Sequence, residues 1–127
     1  MSLPEEIGTL KNLRAIYLIN NRISTFPVCI CNLRELTILD LNFNKLNYLS
    51  PEITKLKQLK RLLLTNNKLI ALPSEIGDLT NLEVLELTDN LLIDLPEEIG
   101  KLKNLKRLLL SFNHLIILPI SQKPQVI

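Results

Sequence analysis

Apolar and polar positions along the chain recur with a period of 23 residues, without insertion or deletion. Leucine, isoleucine or phenylalanine returns at a fixed set of positions in each unit, and an asparagine returns at one more. Such self-similarity is typical of a repeat protein, in which stacked units bury one continuous core. The pattern predicts a single domain over residues 1–127. Its repeats span residues 3–25, 26–48, 49–71, 72–94 and 95–117, followed by a short C-terminal tail.

The apolar period changes within each unit, which predicts a strand and then a helical turn. Leu62 and Leu64 are two residues apart, as on one face of a short strand. Ile99 and Leu102 are three residues apart, as on the inner face of one helical turn. Pro96 precedes two acidic residues and fits the first position of that turn. Each unit is therefore predicted to form one coil, with its strand in a parallel sheet on the concave face and its helical turn on the convex face.

The recurring asparagine follows the strand, where the chain turns and carries its backbone inward. Unpaired backbone groups there would cost roughly 1–3 kcal/mol each. An asparagine side chain both donates and accepts hydrogen bonds, so it can satisfy backbone groups in its own coil and the next. Stacked coils then give a structural asparagine ladder. Its members are Asn21, Asn44, Asn67, Asn90 and Asn113.

Residues that alternate with the inward leucines of the strands are predicted to point outward from the concave face. Aromatic and arginine side chains, which dominate protein interfaces, are found among them. Leu63 and Leu109 are apolar at positions expected to face solvent, which also favours a binding surface. Strand propensity alone would be the alternative reason for these residues. The candidate partner-binding residues are Tyr17, Ile38, Asp40, Phe43, Arg61, Leu63, Glu86, Asp89, Arg107, Leu109 and Phe112.

Composition and motifs indicate no catalytic residue, no cofactor and no metal site. Cys29 and Cys31 form a lone Cys-x-Cys pair with one histidine in the chain, too few for a zinc site. Asp40 and Glu86 lie two repeats apart in one column, and interface charges are favoured over a catalytic carboxylate pair because no cleft is predicted. His114 has no catalytic neighbour in its column. A net charge of +2 gives no reason to expect nucleic acid.

The segments LKRLLLTNNKL and LEVLELTDNLL resemble the leucine-rich repeat, and the resemblance covers residues 3–119. The LPxEIGxLxNL half of the unit is similar to the intracellular 23-residue type, as in Ras-group and Scribble–Erbin repeat proteins. This resemblance implies a right-handed α/β leucine-rich-repeat solenoid with short helices or 3-10 turns. It further implies a non-catalytic scaffold or adaptor that binds a protein partner, such as a small GTPase, a phosphatase or a signalling scaffold.

Other functions and locations stay open at the level of sequence. The chain is alternatively a targeting segment of a larger enzyme, such as a deadenylase, a kinase or a ubiquitin ligase, with its catalytic domain elsewhere. Recognition outside the cell would predict capping cysteines and glycosylation sites, and neither is seen. Without a signal peptide or an apolar run of about 20 residues, a cytoplasmic location away from membranes is expected. The ends lack polar caps, which favours an excised segment or ends that self-associate, and the oligomeric state is open.

Overall fold

The computed structural model describes residues 3–116, which form five stacked coils. Each coil contains one short 3-10 helix followed by one short strand. The 3-10 helices span Glu5–Thr9, Val28–Asn32, Pro51–Lys55, Ser74–Asp78 and Glu97–Lys101. The strands are β1 (Ala15–Tyr17), β2 (Ile38–Asp40), β3 (Arg61–Leu63), β4 (Val84–Glu86) and β5 (Arg107–Leu109). None of the helices in the described range is long and apolar enough to cross a bilayer.

The strands form one parallel sheet in the order β1-β2-β3-β4-β5. Residues 23 apart are register partners throughout, so Leu62 pairs with Leu39 on one side and Leu85 on the other. Adjacent parallel strands lie about 4.8 Å apart, so each repeat advances the stack by that distance. The predicted parallel sheet is confirmed.

The core lies between the sheet and the 3-10 helices. The inward leucines of β2, β3 and β4, which are Leu39, Leu62 and Leu85, have no exposed surface. Ile53 and Ile76 reach the same core from the helical side and are equally buried. No single coil could cover these side chains alone, so the stacking of coils is what keeps them from water.

In four of the five coils a proline stands just before the 3-10 helix, so the sequence prediction for Pro96 is wrong by one position. Pro96 has extended backbone and is the N-cap of Glu97–Lys101. The third unit differs, because Pro51 is its first helical residue and Ser50 occupies the N-cap. The Ser50 hydroxyl accepts a hydrogen bond from the Glu52 N–H at 3.1 Å. A serine cap thus replaces the proline where the proline is displaced.

Neighbouring 3-10 helices pack so closely that a side chain has no room at one position. A Cβ at Gly77 would lie 2.6 Å from the Glu98 carbonyl oxygen. The corresponding positions of the second and third units hold Cys31 and Thr54. Cys31 is buried there, and the Thr54 hydroxyl donates to the carboxylate of Asp78 at 2.7 Å. The convex side therefore packs differently from coil to coil.

Candidate functional site: the concave face

The asparagine ladder fixes the turn that ends each strand. The Nδ2 of Asn67 donates to the Leu41 and Leu64 carbonyl oxygens at 3.0 and 3.1 Å, and its Oδ1 accepts from the Leu46 N–H at 3.0 Å. Leu64 is in the same coil, whereas Leu41 and Leu46 belong to the preceding one. The predicted bonding to the next coil is therefore wrong in direction. The ladder asparagine satisfies its own coil and the coil before it.

Three other ladder asparagines bond in the same direction, toward the preceding coil. Asn44, Asn90 and Asn113 donate to Leu18, Leu64 and Leu87 of their preceding coils. Asn21 is in the first described coil, and its Nδ2 donates only to the Ile19 carbonyl of that coil at 3.1 Å. Asn21 is also less buried than Asn44, Asn67 and Asn90.

The residue before each ladder asparagine has left-handed backbone. In all five coils its φ lies between 58° and 60°, at Asn20, Phe43, Asn66, Asp89 and Phe112. Asparagine and aspartate tolerate this conformation, whereas it is a strained outlier for a bulky residue. Sequence reasoning selected Phe43 and Phe112 as exposed aromatics but missed this strain. The signal was present, because the other three units hold Asn or Asp in the same column.

Aromatic side chains extend into solvent from the strand and from its end. Tyr17 is 60% exposed on β1, Phe43 is 50% exposed and Phe112 is 81% exposed. Arg61 and Arg107 are exposed on β3 and β5. Neither arginine forms an ion pair with a carboxylate in residues 3–116. These five side chains are accessible on the concave face.

Two predicted site residues are buried and do not face solvent. Leu63 is 6% exposed, so the prediction that it faces solvent is wrong. It lies in the middle strand, in register between Asp40 of β2 and Glu86 of β4. Asp40 is 5% exposed, and its carboxylate accepts from the Asn42 N–H at 3.0 Å. Both side chains form the floor of the concave face.

The remaining predicted residues are partly covered or hydrogen-bonded. Ile38 and Leu109 are half-buried on β2 and β5. Glu86 is half-buried and accepts from the Thr65 hydroxyl at 3.5 Å. Asp89 is exposed, and its carboxylate accepts from the Asn66 amide at 2.8 Å. Each of these acids accepts a hydrogen bond from within the chain, whereas Arg61 and Arg107 form no ion pair in residues 3–116.

Two arrangements weighed from the sequence, a metal cluster and a carboxylate pair, can be compared with the described residues. No group of three or more His, Cys, Asp or Glu side chains in this range could hold a metal ion. Leu63 separates Asp40 from Glu86, and Asp40 is buried, so these two carboxylates do not meet across a cleft. His114 is exposed at the edge of the last described coil.

The two cysteines are free thiols in the 3-10 helix of the second coil. Cys29 is half-buried and Cys31 is buried. Burial raises the pKa of the Cys31 thiol to about 12, and the nearby Glu52 carboxylate adds to the rise. The thiol is therefore protonated at neutral pH and packs as a small apolar group.

The repeat pattern and the coil geometry agree with a known family. A family model described as "Leucine rich repeat" matches residues 3–46 and 57–115. The chain belongs to the leucine-rich repeat family. Its intracellular subtype stays a prediction.

Solved leucine-rich-repeat structures superpose closely on the chain. A leucine-rich-repeat protein of Leptospira interrogans is 48% identical, with a TM-score of 0.88, over 91% of this chain and 29% of that one. The second is the ectodomain of the Arabidopsis thaliana receptor kinase GASSHO1/SCHENGEN3, solved in complex with CASPARIAN STRIP INTEGRITY FACTOR 2. It is 34% identical with a TM-score of 0.81, and the match covers 88% of this chain and 14% of that one. An internalin of Listeria monocytogenes is 27% identical, with a TM-score of 0.79, over 92% and 34%.

These neighbours are much longer than the repeat stack seen here. The chain spans only 14–34% of their lengths. No curated protein matches the chain at a significant level. The leucine-rich-repeat solenoid predicted from the sequence is confirmed, with 3-10 helices as its short convex elements.

Proposed function

We propose that the chain is a non-catalytic protein-interaction module that binds a protein partner through its concave face. The observation that carries this proposal is the placement of Phe43 and Phe112. Both aromatics are exposed, and both stand at a left-handed position where other units hold asparagine or aspartate. A strained backbone conformation of this kind costs of order 1–3 kcal/mol and is typical of ligand-binding sites. Burial of the rings against a partner would offset that cost.

The neighbouring side chains support the same surface. Tyr17, Arg61 and Arg107 are exposed on the strands, and Tyr and Arg are enriched among residues that contribute most to binding. The backbone beneath them is fixed by the parallel sheet and the asparagine ladder. A preformed surface loses little conformational freedom on binding, which favours affinity.

The family supports binding in general and leaves the partner open. Leucine-rich repeats commonly serve as protein-interaction modules, and the Arabidopsis ectodomain was solved in complex with CASPARIAN STRIP INTEGRITY FACTOR 2. A small GTPase, a phosphatase or a signalling scaffold stays a prediction for this chain. The cytoplasmic location also stays a prediction, because the neighbours include a receptor ectodomain as well as bacterial proteins. The alternative role within a larger enzyme stays a prediction too.

The proposal is tested by exchanging residues within a column of the stack. Phe43→Asn and Phe112→Asn copy the residue that the first and third coils hold at this position, and Arg61→Val and Arg107→Val copy the fourth coil. Each new residue already occurs in the same backbone environment. The fourfold variant should therefore fold like the parent chain while it loses the accessible aromatic and cationic groups.

The readout is affinity capture from native lysate followed by quantitative mass spectrometry. A matched variant changes the convex side instead, with Lys57→Gln, Lys60→Gln and Lys103→Gln. Proteins enriched by the parent chain and by the convex variant should be lost with the concave variant. If the concave variant retains them, or the convex variant loses them, the site assignment is wrong. Circular dichroism melts check that both variants are folded.

A further inference from the structure

A second surface lies beside the concave face, on the side of the coils that follows the ladder. We call it the ladder flank. It consists of two columns of exposed residues, which lie one and three residues after each ladder asparagine, with an apolar residue between them. In the third coil, for example, Lys68 and Ile70 are exposed on either side of the buried Leu69. The first column is Arg22, Lys45, Lys68, Leu91 and His114. The second column is Ser24, Asn47, Ile70, Ile93 and Ile116.

Backbone hydrogen bonds hold the ladder flank at regular spacing. The Lys68 N–H donates to the Leu46 carbonyl at 2.7 Å, and the Leu91 N–H donates to the Leu69 carbonyl at 2.8 Å. These bonds join each coil to the one before it. The side chains of successive coils are therefore spaced like those of neighbouring strands, about 4.8 Å apart.

The half of the ladder flank formed by the third to fifth coils is apolar along its second column. Ile70, Ile93 and Ile116 are 52%, 47% and 78% exposed, in three consecutive coils. Leu91 lies in the adjacent column and is 40% exposed. A single exposed aliphatic residue on a protein surface is ordinary, whereas a contiguous row of them marks an interaction site.

The half formed by the first to third coils is cationic. Arg22, Lys45 and Lys68 are exposed in three consecutive coils, and none forms an ion pair with a carboxylate of the described range. Neither column of the ladder flank contains an acidic residue, and Asp94, which follows Ile93 in the chain, is exposed beside it. Like charges in one row repel each other, so an anionic partner is the natural complement.

We propose that the ladder flank binds a short extended peptide segment of a protein partner, with acidic side chains at one end and aliphatic side chains at the other. The five coils span four steps, or roughly 19 Å, at the spacing of parallel strands. An extended chain covers about 3.3 Å per residue, so a segment of about six residues reaches from Arg22 to Ile116. Its carboxylates face the cationic half and its aliphatic side chains cover the isoleucines.

Two other occupants match the surface less well. A second copy of this chain, related by a two-fold axis at Ile93, would bring Asp94 close to its own copy, with like charges opposed. A nucleic acid would match Lys45 and Lys68 but would leave the isoleucine row uncovered. The acidic–aliphatic peptide is the occupant that uses both halves.

The test measures binding of a labelled heptapeptide by fluorescence anisotropy. The probe carries three aspartates, a glycine and three leucines, with both ends blocked. A control peptide has the same composition with aspartate and leucine alternating. The probe should bind at least tenfold more tightly than the control, and binding should weaken as salt is raised, since the cationic half is exposed.

Variants are chosen again within the columns, so that folding is preserved. Ile70→Asn and Ile93→Asn copy Asn47, while Lys45→Leu and Lys68→Leu copy Leu91. Each pair of changes should weaken probe binding at least fivefold. Lys57→Gln on the convex side serves as the control and should change it by less than twofold.

Several results would overturn the proposal. Equal binding of the probe and the alternating control would show that the two halves do not act together. Loss of binding in an Arg61→Val, Arg107→Val variant, with the ladder-flank variants unaffected, would place the probe on the concave face. A dimer in sedimentation equilibrium that Ile93→Asn dissociates would show that a second copy covers the surface.

Discussion

Replacing Phe112 with asparagine should stabilise the chain, although it removes a large aromatic side chain. Phe112 has a φ of 59° and is 81% exposed. For an ordinary L-residue the left-handed conformation costs roughly 1–2 kcal/mol, and asparagine is among the residues that adopt it routinely. The substitution therefore relieves strain at a site where the phenyl ring contacts little protein.

The magnitude follows from the exposure of the ring. Full burial of a phenylalanine contributes roughly 1.5–3 kcal/mol, so a ring about one-fifth buried contributes about 0.3–0.6 kcal/mol. Relief of about 1 kcal/mol of strain exceeds this loss, and the net gain is roughly 0.5 kcal/mol. For Phe43, which is 50% exposed, the lost burial is roughly 1 kcal/mol and cancels the gain. The same substitution should thus be stabilising at Phe112 and close to neutral at Phe43.

The assay is urea unfolding followed by circular dichroism, with Phe112→Ala as the matched control. Alanine loses the same ring contacts and keeps the left-handed strain, so this variant should be less stable than the parent. The two variants should differ by about 1 kcal/mol, or roughly 3 °C in Tm. Phe112→Gly is the second control, because glycine relieves strain without adding an amide that could donate to the neighbouring Asp89.

A specific ranking of stabilities would refute this reasoning. If Phe112→Asn and Phe112→Ala are equally stable, the left-handed backbone is not a cost at this position. Glycine also costs about 0.4–1 kcal/mol through the entropy of the unfolded chain, so if Phe112→Gly falls below Phe112→Asn by clearly more than this, the gain comes from a new hydrogen bond and not from relief of strain. In either case the argument that the aromatics are retained for binding loses its energetic basis.

Three further predictions concern the interior. Asn67→Leu should cost roughly 1–3 kcal/mol in urea unfolding, because the buried Leu46 N–H loses its acceptor, while the Leu41 and Leu64 carbonyl oxygens keep the amides of Asn44 and Asn90. Asn21→Leu should cost less, since the Asn21 amide donates to the exposed Ile19 carbonyl; an unchanged Tm for Asn67→Leu would contradict the ladder. Gly77→Ala should cost roughly 1–3 kcal/mol, since the backbone of the next coil must move, and parent-like stability would show that the packing is looser than described. In a Cys29→Ser background, Cys31 of the folded protein should react with iodoacetamide at pH 8 roughly a thousandfold more slowly than Cys31 of the protein unfolded in urea, because its raised pKa and burial suppress the thiolate. Mass spectrometry measures both rates, and comparable rates would contradict the burial of this thiol.

The repeat period predicted most of the architecture. Inward positions hold the same kind of residue in every coil, so the pairing of Leu62 with Leu39 and Leu85 follows from the period alone. The direction of the ladder did not follow, because the sequence does not show whether Asn67 reaches toward the coil before it or the coil after it. That choice depends on how neighbouring turns are offset in space.

Exposure on the concave face was only partly predictable. Alternation along a strand correctly placed Tyr17 and Arg61 in solvent, but it also placed Leu63 and Asp40 there. Their burial depends on the adjacent coils, which the alternation of one strand does not encode. The isoleucine row of the ladder flank is visible as a 23-residue spacing. It lies outside the strands, however, where alternation gave no reason to expect exposure.

The repeats provide an internal standard for separating structural from functional residues. Five residues share each column and therefore nearly the same backbone environment, so a residue from one coil is a natural substitute in another. Where an exchange lowers the affinity for the partner and leaves the free energy of unfolding unchanged, the original side chain contributes to binding. Where it lowers the free energy of unfolding, the side chain contributes to the stability of the coil. We expect Arg61 to fall in the first group, because it is exposed and forms no ion pair in the described range, and Asp40 to fall in the second, because it is buried and bonded to the backbone.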